Sequence, residues 1–96
     1  MKIYDLQFLV SAQKEWAALD NTVREQLKRK LAHRLINPRV ESARLSTMPD
    51  CYKIKLAALG YRLVYQVKDD TVTVIVVAVG KHERSAVYSV ALLRLR

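Results

Sequence analysis

The sequence predicts an α+β domain, and three observations carry that prediction. Apolar residues recur at helical spacing between residues 9 and 36, the pattern switches to period two from residue 40, and helical spacing returns after Gly80. The order is therefore two helices, a mainly antiparallel sheet and one terminal helix.

Each element has its own signal. Residues 2 to 8, KIYDLQF, alternate weakly and read as a first strand. Leu9, Ala12, Trp16 and Leu19 follow at helical spacing, with Ser11 as the expected cap. DN then turns the chain, Thr22 and Glu25 offer a capping box, and Val23, Leu27, Leu31 and Leu35 form an apolar stripe that stops at Asn37-Pro38. VESARLS, from residue 40, reads as a short strand, and 51–57, 61–68 and 71–79 as three longer ones. Gly60 supplies a positive φ in the first turn and the paired Asp residues of KDDT make the second, so these three strands should form an antiparallel meander. Beyond the polar KHER loop, Ser85 can cap a last helix that carries Val87, Ala91 and Leu95.

With 96 residues the chain is expected to be one domain, spanning 1–96. Its single cysteine, Cys51, cannot form an internal disulfide, and no basic-then-apolar leader opens the chain, which points to a cytoplasmic protein. The apolar run TVTVIVVAVG is about half of what a bilayer needs, and its β-branched residues suit a buried strand, so no membrane association is expected. Seventeen Lys and Arg face nine Asp and Glu, a formal net charge of +8. Solubility alone needs far less asymmetry; the excess favours a polyanion, and nucleic acid above all.

The alternation places three cations together. If Tyr52, Ile54 and Leu56 pair with Tyr61, Leu63, Tyr65 and Val67 on one face, Lys53, Lys55 and Arg62 must share the other. Like charges on neighbouring strands repel by about 0.2–1 kcal/mol per pair, so an anion between them in the working state accounts for the arrangement. Glu41, Asp50, Cys51, His33 and His82 make no metal-ligand set, and neither a Gly-x-Ser-x-Gly elbow nor a Gly-rich phosphate loop is present. Neither a metal nor a cofactor is expected. Metal-free RNA cleavage remains: a base takes the ribose 2′-OH proton, cations stabilise the phosphorane, and an acid protonates the leaving 5′-oxygen. Lys, Arg, Tyr and His suffice for it.

Five fragments, TVREQLKRKL, NPRVESARL, MPDCYKIKL, GYRLVYQVKDD and VGKHERSAVYSVA, together resemble the RelE toxin family in register over nearly the whole chain. The resemblance implies a RelE/ParE-like, microbial-RNase-like fold and a type II toxin that cleaves messenger RNA in the ribosomal 30S A site. It also implies a RelB-like antitoxin, through which the complex would bind its own operator DNA. In family terms Lys55 is the general base, Lys53 and Arg62 hold the scissile phosphate, and Tyr88 orients the reacting nucleotide. The chemistry agrees about the lysine, because neighbouring positive charge disfavours an ammonium. Where the family carries an arginine after GK, this sequence has His82, expected to protonate the leaving group near neutral pH. Lys28, Arg29, Arg34, Arg44, Lys81 and Arg84 are the candidates for contact with RNA and ribosome. The resemblance further implies that antitoxin displaces the terminal helix and moves Tyr88 away from Lys55. Two other readings stand beside this one: a non-enzymatic nucleic-acid-binding module using the basic faces of helix 22–36, and a ParE-like toxin directed at gyrase.

Overall fold

The computed structural model describes residues 2–81 and 86–96. Its elements are β1 (Asp5–Phe8), α1 (Val10–Ala17), α2 (Asn21–Ile36), a 3₁₀ turn at Glu41–Ala43, β2 (Cys51–Leu56), β3 (Tyr61–Lys68), β4 (Thr73–Lys81) and α3 (Ala86–Arg94). The strands lie in the order β1-β4-β3-β2, antiparallel from β2 through β4, with β1 parallel to β4. The meander is as the turn residues predict: Gly60 adopts φ 73° and donates its N–H to Leu56 O at 2.8 Å.

The sheet separates two apolar layers, because its strands alternate between faces. Ala12, Val23, Leu27 and Leu31 of α1 and α2 pack on Tyr52, Ile54, Leu63, Tyr65 and Val67. On the opposite face α3 lays Val87 and Ala91 on Cys51, Val64, Val77 and Ala78. Each fully buried Leu or Val contributes about 1.5–3 kcal/mol, which is what holds the three helices in place. No helix among the described residues is long and apolar enough to cross a membrane.

Four local expectations are corrected. Ser11 lies inside α1, whose N-cap is Leu9 without any side-chain cap; Leu9 instead donates its N–H to Val76 O at 3.0 Å, so the ladder bond that ends β1 sets the helix entry. The cap of α2 is Asp20, whose carboxylate accepts the Thr22 N–H, so Thr22 falls within the first turn. Residues 40–46 form no strand: Glu41–Ala43 turn as 3₁₀, and only Arg44 bridges to Tyr52. Finally, β4 starts at Thr73 rather than 71 and extends to Lys81.

The long apolar run also hides a β-bulge. Tyr65 pairs with Val76 but Val64 with Ala78, so Val77 is an extra residue in β4. Val77 and Ala78 consequently both face α3, while Val76 and Val79 both face α1 and α2. Everything after Val77 changes phase, so Gly80 rather than Val79 comes to lie opposite Arg62.

Candidate active site

Lys55 and Arg62 are direct cross-strand partners, and Lys53 pairs with Val64 one row further along the same face. The three cations therefore share a face, as the alternation requires. Arg62 is flanked on its other side by Gly80 of β4. A Cβ added at Gly80 would lie 3.7 Å from Val87 Cγ2, so the missing side chain leaves a gap between Arg62 and the first turn of α3.

Arg62 donates from Nη1 to Tyr61 O at 3.0 Å. Its Nε is buried and has no partner, and it is the one such side-chain atom among the described residues. A buried donor left unsatisfied costs about 1–3 kcal/mol, and more when it carries charge. Beside Lys53 and Lys55, an oxyanion is the group that meets this deficit.

Tyr88 sits in the first turn of α3, half-buried against the apolar cluster that includes Val64, Val87 and Ala91, and following directly on Val87 over Gly80. The other end of α3 is clamped: Arg94 forms a two-pronged ion pair with Glu15 of α1 at 2.8 and 2.9 Å. His82 and Arg84 lie outside the described residues. Lys81 pairs with Tyr61 and so takes the face opposite to Arg62, a result of the bulge. Cys51 does share the face of Lys53 and Lys55, but burial beneath α3, helped by the Asp50 charge, pushes its thiol up to about 11. It stays protonated and offers no nucleophile near neutral pH. No group of three or more His, Cys, Asp or Glu suited to a metal occurs among the described residues.

The basic surface of α2 divides by what each residue touches. Arg24 donates to the carbonyls of Trp16, Ala17 and Leu19, closing the end of α1. Arg34 donates from Nη1 to Lys53 O at 3.0 Å and to Tyr65 Oη at 2.9 Å, and Tyr65 Oη in turn donates to Pro38 O at 2.6 Å. Arg34 thus braces the β2 edge at Lys53. Lys28 pairs with Glu25 and Arg44 with Glu41, both exposed pairs that contribute little. Arg29 is exposed on the same helix. Lys30, absent from the sequence-based site, lines a polar groove with Arg34, Ser42, Lys53 and Lys55. Its position four residues before Arg34, on one helix face, was the available signal.

This scaffold, a meander with a cationic corner exposed beside a terminal helix, is that of type II toxins. The family model for the ParE toxin of the type II toxin-antitoxin system parDE matches residues 6–86. The mRNA interferase toxin RelE of Escherichia coli K12 is 59% identical over 92 residues, 96% of this chain and 97% of that protein. The solved structure of an arginine double mutant of E. coli RelE in the free state matches with a TM-score of 0.90 and 56% identity, covering 98% of this chain and 99% of the other. The toxin in the intact E. coli RelBE toxin-antitoxin complex matches with a TM-score of 0.82 and 59% identity over 84% and 99% of the two chains. The chain belongs to the RelE family of the RelE/ParE superfamily.

Proposed function

We propose that this protein is the toxin of a type II toxin-antitoxin module: an mRNA interferase that cuts messenger RNA in the ribosomal A site and is neutralised by a RelB-like antitoxin. It acts in the cytoplasm, and its complex with antitoxin binds operator DNA through the antitoxin. The observation that carries the catalytic reading is Lys55 directly across from Arg62, whose buried Nε lacks an acceptor.

In this mechanism the scissile phosphate lies against Lys53 and Arg62, with a phosphate oxygen accepting from Arg62 Nε. Lys55 takes the 2′-OH proton as that oxygen attacks the adjacent phosphorus. Charge building on the phosphorane is met by fixed cations that need no reorganisation. The P–O5′ bond breaks to leave a 2′,3′-cyclic phosphate, and His82 protonates the departing 5′-oxygen. Tyr88, on the helix bordering the gap at Gly80, orients the reacting nucleotide. The 59% identity to an mRNA interferase over nearly the full length of both chains supports the reading.

The test is induction in cells with mapping of new 5′ ends on messenger RNA, in the parent and in Lys55→Ala and Tyr88→Phe. Codon-registered cuts in the parent that are lost in Lys55→Ala are expected. Intact messages with broken DNA would place the protein with gyrase-directed toxins instead.

A further inference from the structure

Beyond the catalytic corner, the groove of about 290 Å³ between α2 and the β2 edge is lined by Lys30, Arg34, Ser42, Lys53 and Lys55. It adjoins a second of about 310 Å³, and the two share Lys30 and Lys55. No carboxylate lines either one. The cations form two rows: Lys53 and Lys55 are about 7 Å apart along the strand, and Lys30 and Arg34 about 6 Å apart along the helix. Lys30, Lys53 and Lys55 have no carboxylate partner among the described residues, whereas Lys28 and Arg44 do.

The edge itself points to the class of occupant. An exposed edge strand invites a peptide strand, which needs free main-chain groups. Here Lys53 O already accepts from Arg34, and Cys51 O from Leu45 N. Two of the edge carbonyls that a peptide strand would use are therefore already taken, while the cationic walls remain open. Arg34 is held by two bonds before any ligand arrives, so little ordering remains to oppose binding. Each cavity is near the lower end of the range that holds a small ligand, the size of one nucleotide unit rather than a duplex.

We propose that this groove is a second phosphate subsite, in which Lys30, with Arg34 and Ser42, holds the single-stranded message next to the scissile linkage. The chain of contacts runs through Lys55, which faces the catalytic corner and lines both cavities. The message therefore passes from Arg62 over the β2 edge into the groove. This rests on the mRNA interferase reading and adds a residue that grips substrate without touching the reacting atoms.

The test is steady-state cleavage of message on programmed ribosomes. Lys30→Ala should raise KM roughly three- to tenfold with kcat within about twofold, and flatten the slope of log KM against log salt by about 0.7, the value for one contact to a single strand. Lys30→Arg should restore both, and Lys14→Ala, an exposed cation on α1, should change neither. A message carrying a neutral methylphosphonate at each flanking linkage in turn should, at one linkage, make wild type and Lys30→Ala alike. If wild type cuts and Lys30→Ala has the same KM, the subsite is overturned and the function stands. A KM effect that no neutral linkage removes assigns Lys30 to ribosomal RNA and overturns the proposal. So does a loss of antitoxin affinity with unchanged cleavage, which would mark an acidic protein segment as the occupant. If wild type leaves the message intact, the function itself fails, and the subsite with it.

Discussion

Replacing Arg94 with alanine should loosen α3 from the sheet, and the structure sets the size of the effect. Strand β1 pairs with β4 across Thr73–Val76, so beyond Val76 that edge of β4 has no neighbouring strand among the described residues. Side chains cover it instead. Glu15 Oε1 accepts from Val79 N at 3.2 Å, and Arg94 Nη1 donates to Val77 O at 2.8 Å while forking onto both carboxylate oxygens. Hydrogen bonds to charged groups contribute about 1.5–3 kcal/mol each when sheltered. These side chains are 22% and 33% exposed, so water recovers part of the loss. A net of about 2 kcal/mol for the whole clasp follows. The remaining apolar anchors of α3 are chiefly Val87 and Ala91, both small, so the loss should appear as local opening of the helix. Two kcal/mol is about a 30-fold change in the opening constant. Native-state hydrogen exchange should therefore show protection across 86–96 falling about 30-fold in Arg94→Ala, with β3 amides much less affected. Glu15→Gln should reproduce most of the change, and the double variant should add little to either single one. Protection within threefold of wild type, or fully additive losses, would refute the clasp. Because Tyr88 rides on α3, RNA cleavage should decline in step with protection.

Three further outcomes are expected. Tyr65→Phe strands Pro38 O and one donor of Arg34 in a buried setting, which should cost about 1–3 kcal/mol and lower Tm by roughly 4–8 °C per kcal/mol in thermal unfolding. For pH, the unfolded Cys51 thiol ionises near 9 while the buried one holds its proton to about 11. Its contribution is thus fully present below pH 9 and is lost as pH rises through 11, so Cys51→Ala should flatten the fall of denaturation midpoint across that window; an identical slope counts against it. In the catalytic mechanism, wild-type cleavage should fall above neutral pH as His82 loses its proton, and His82→Arg should remove that limb; indistinguishable pH-rate profiles would exclude His82 as the acid.

How far the site was legible in the sequence depends on whether a residue's fate is local. Lys53, Lys55 and Arg62 were legible because Tyr52, Ile54, Leu56, Leu63, Tyr65 and Val67 alternate strictly, and only one phase buries all of them. The β4 run VIVVAV is apolar at every position, so nothing in it fixes the phase. The bulge at Val77, and with it the faces taken by Gly80 and Lys81, could not be read from the pattern. Arg34 was legible only as a candidate for RNA contact, yet its Nη1 also donates to the main-chain carbonyl of Lys53 in β2. That carbonyl reaches Arg34 only after α2 packs on the sheet. The stretch 40–46 failed as a strand for a related reason. Only residues 42–46 alternate; Tyr65 Oη donates to Pro38 O just before the stretch, and a single bridge at Arg44 is the pairing that forms within it.

The placement of the cations follows from how little of the sheet α3 covers. Across the sheet on that face, one row runs Lys53, Val64, Ala78 and the next Lys55, Arg62, Gly80. Val64 and Ala78 are sealed by Val87 and Ala91, while Lys53, beside them on the edge strand, is only half-buried. Apolar therefore gives way to cationic within one residue across the sheet and within two along β3, so the three cations form an L around the corner where α3 begins. An anion in that corner faces Arg62 Nε on one side and the first turn of α3 on the other, and the same helix that shields Val64 defines the site's wall. Any partner that lifts α3 must at once uncover Val64, Val77 and Ala78 and dismantle that wall. In the proposed mechanism, apolar cover for the sheet and loss of the site are thus one event: a segment that displaces α3 is expected to replace Val87 and Ala91 with apolar side chains of its own, and to stop cleavage without direct contact with Lys55.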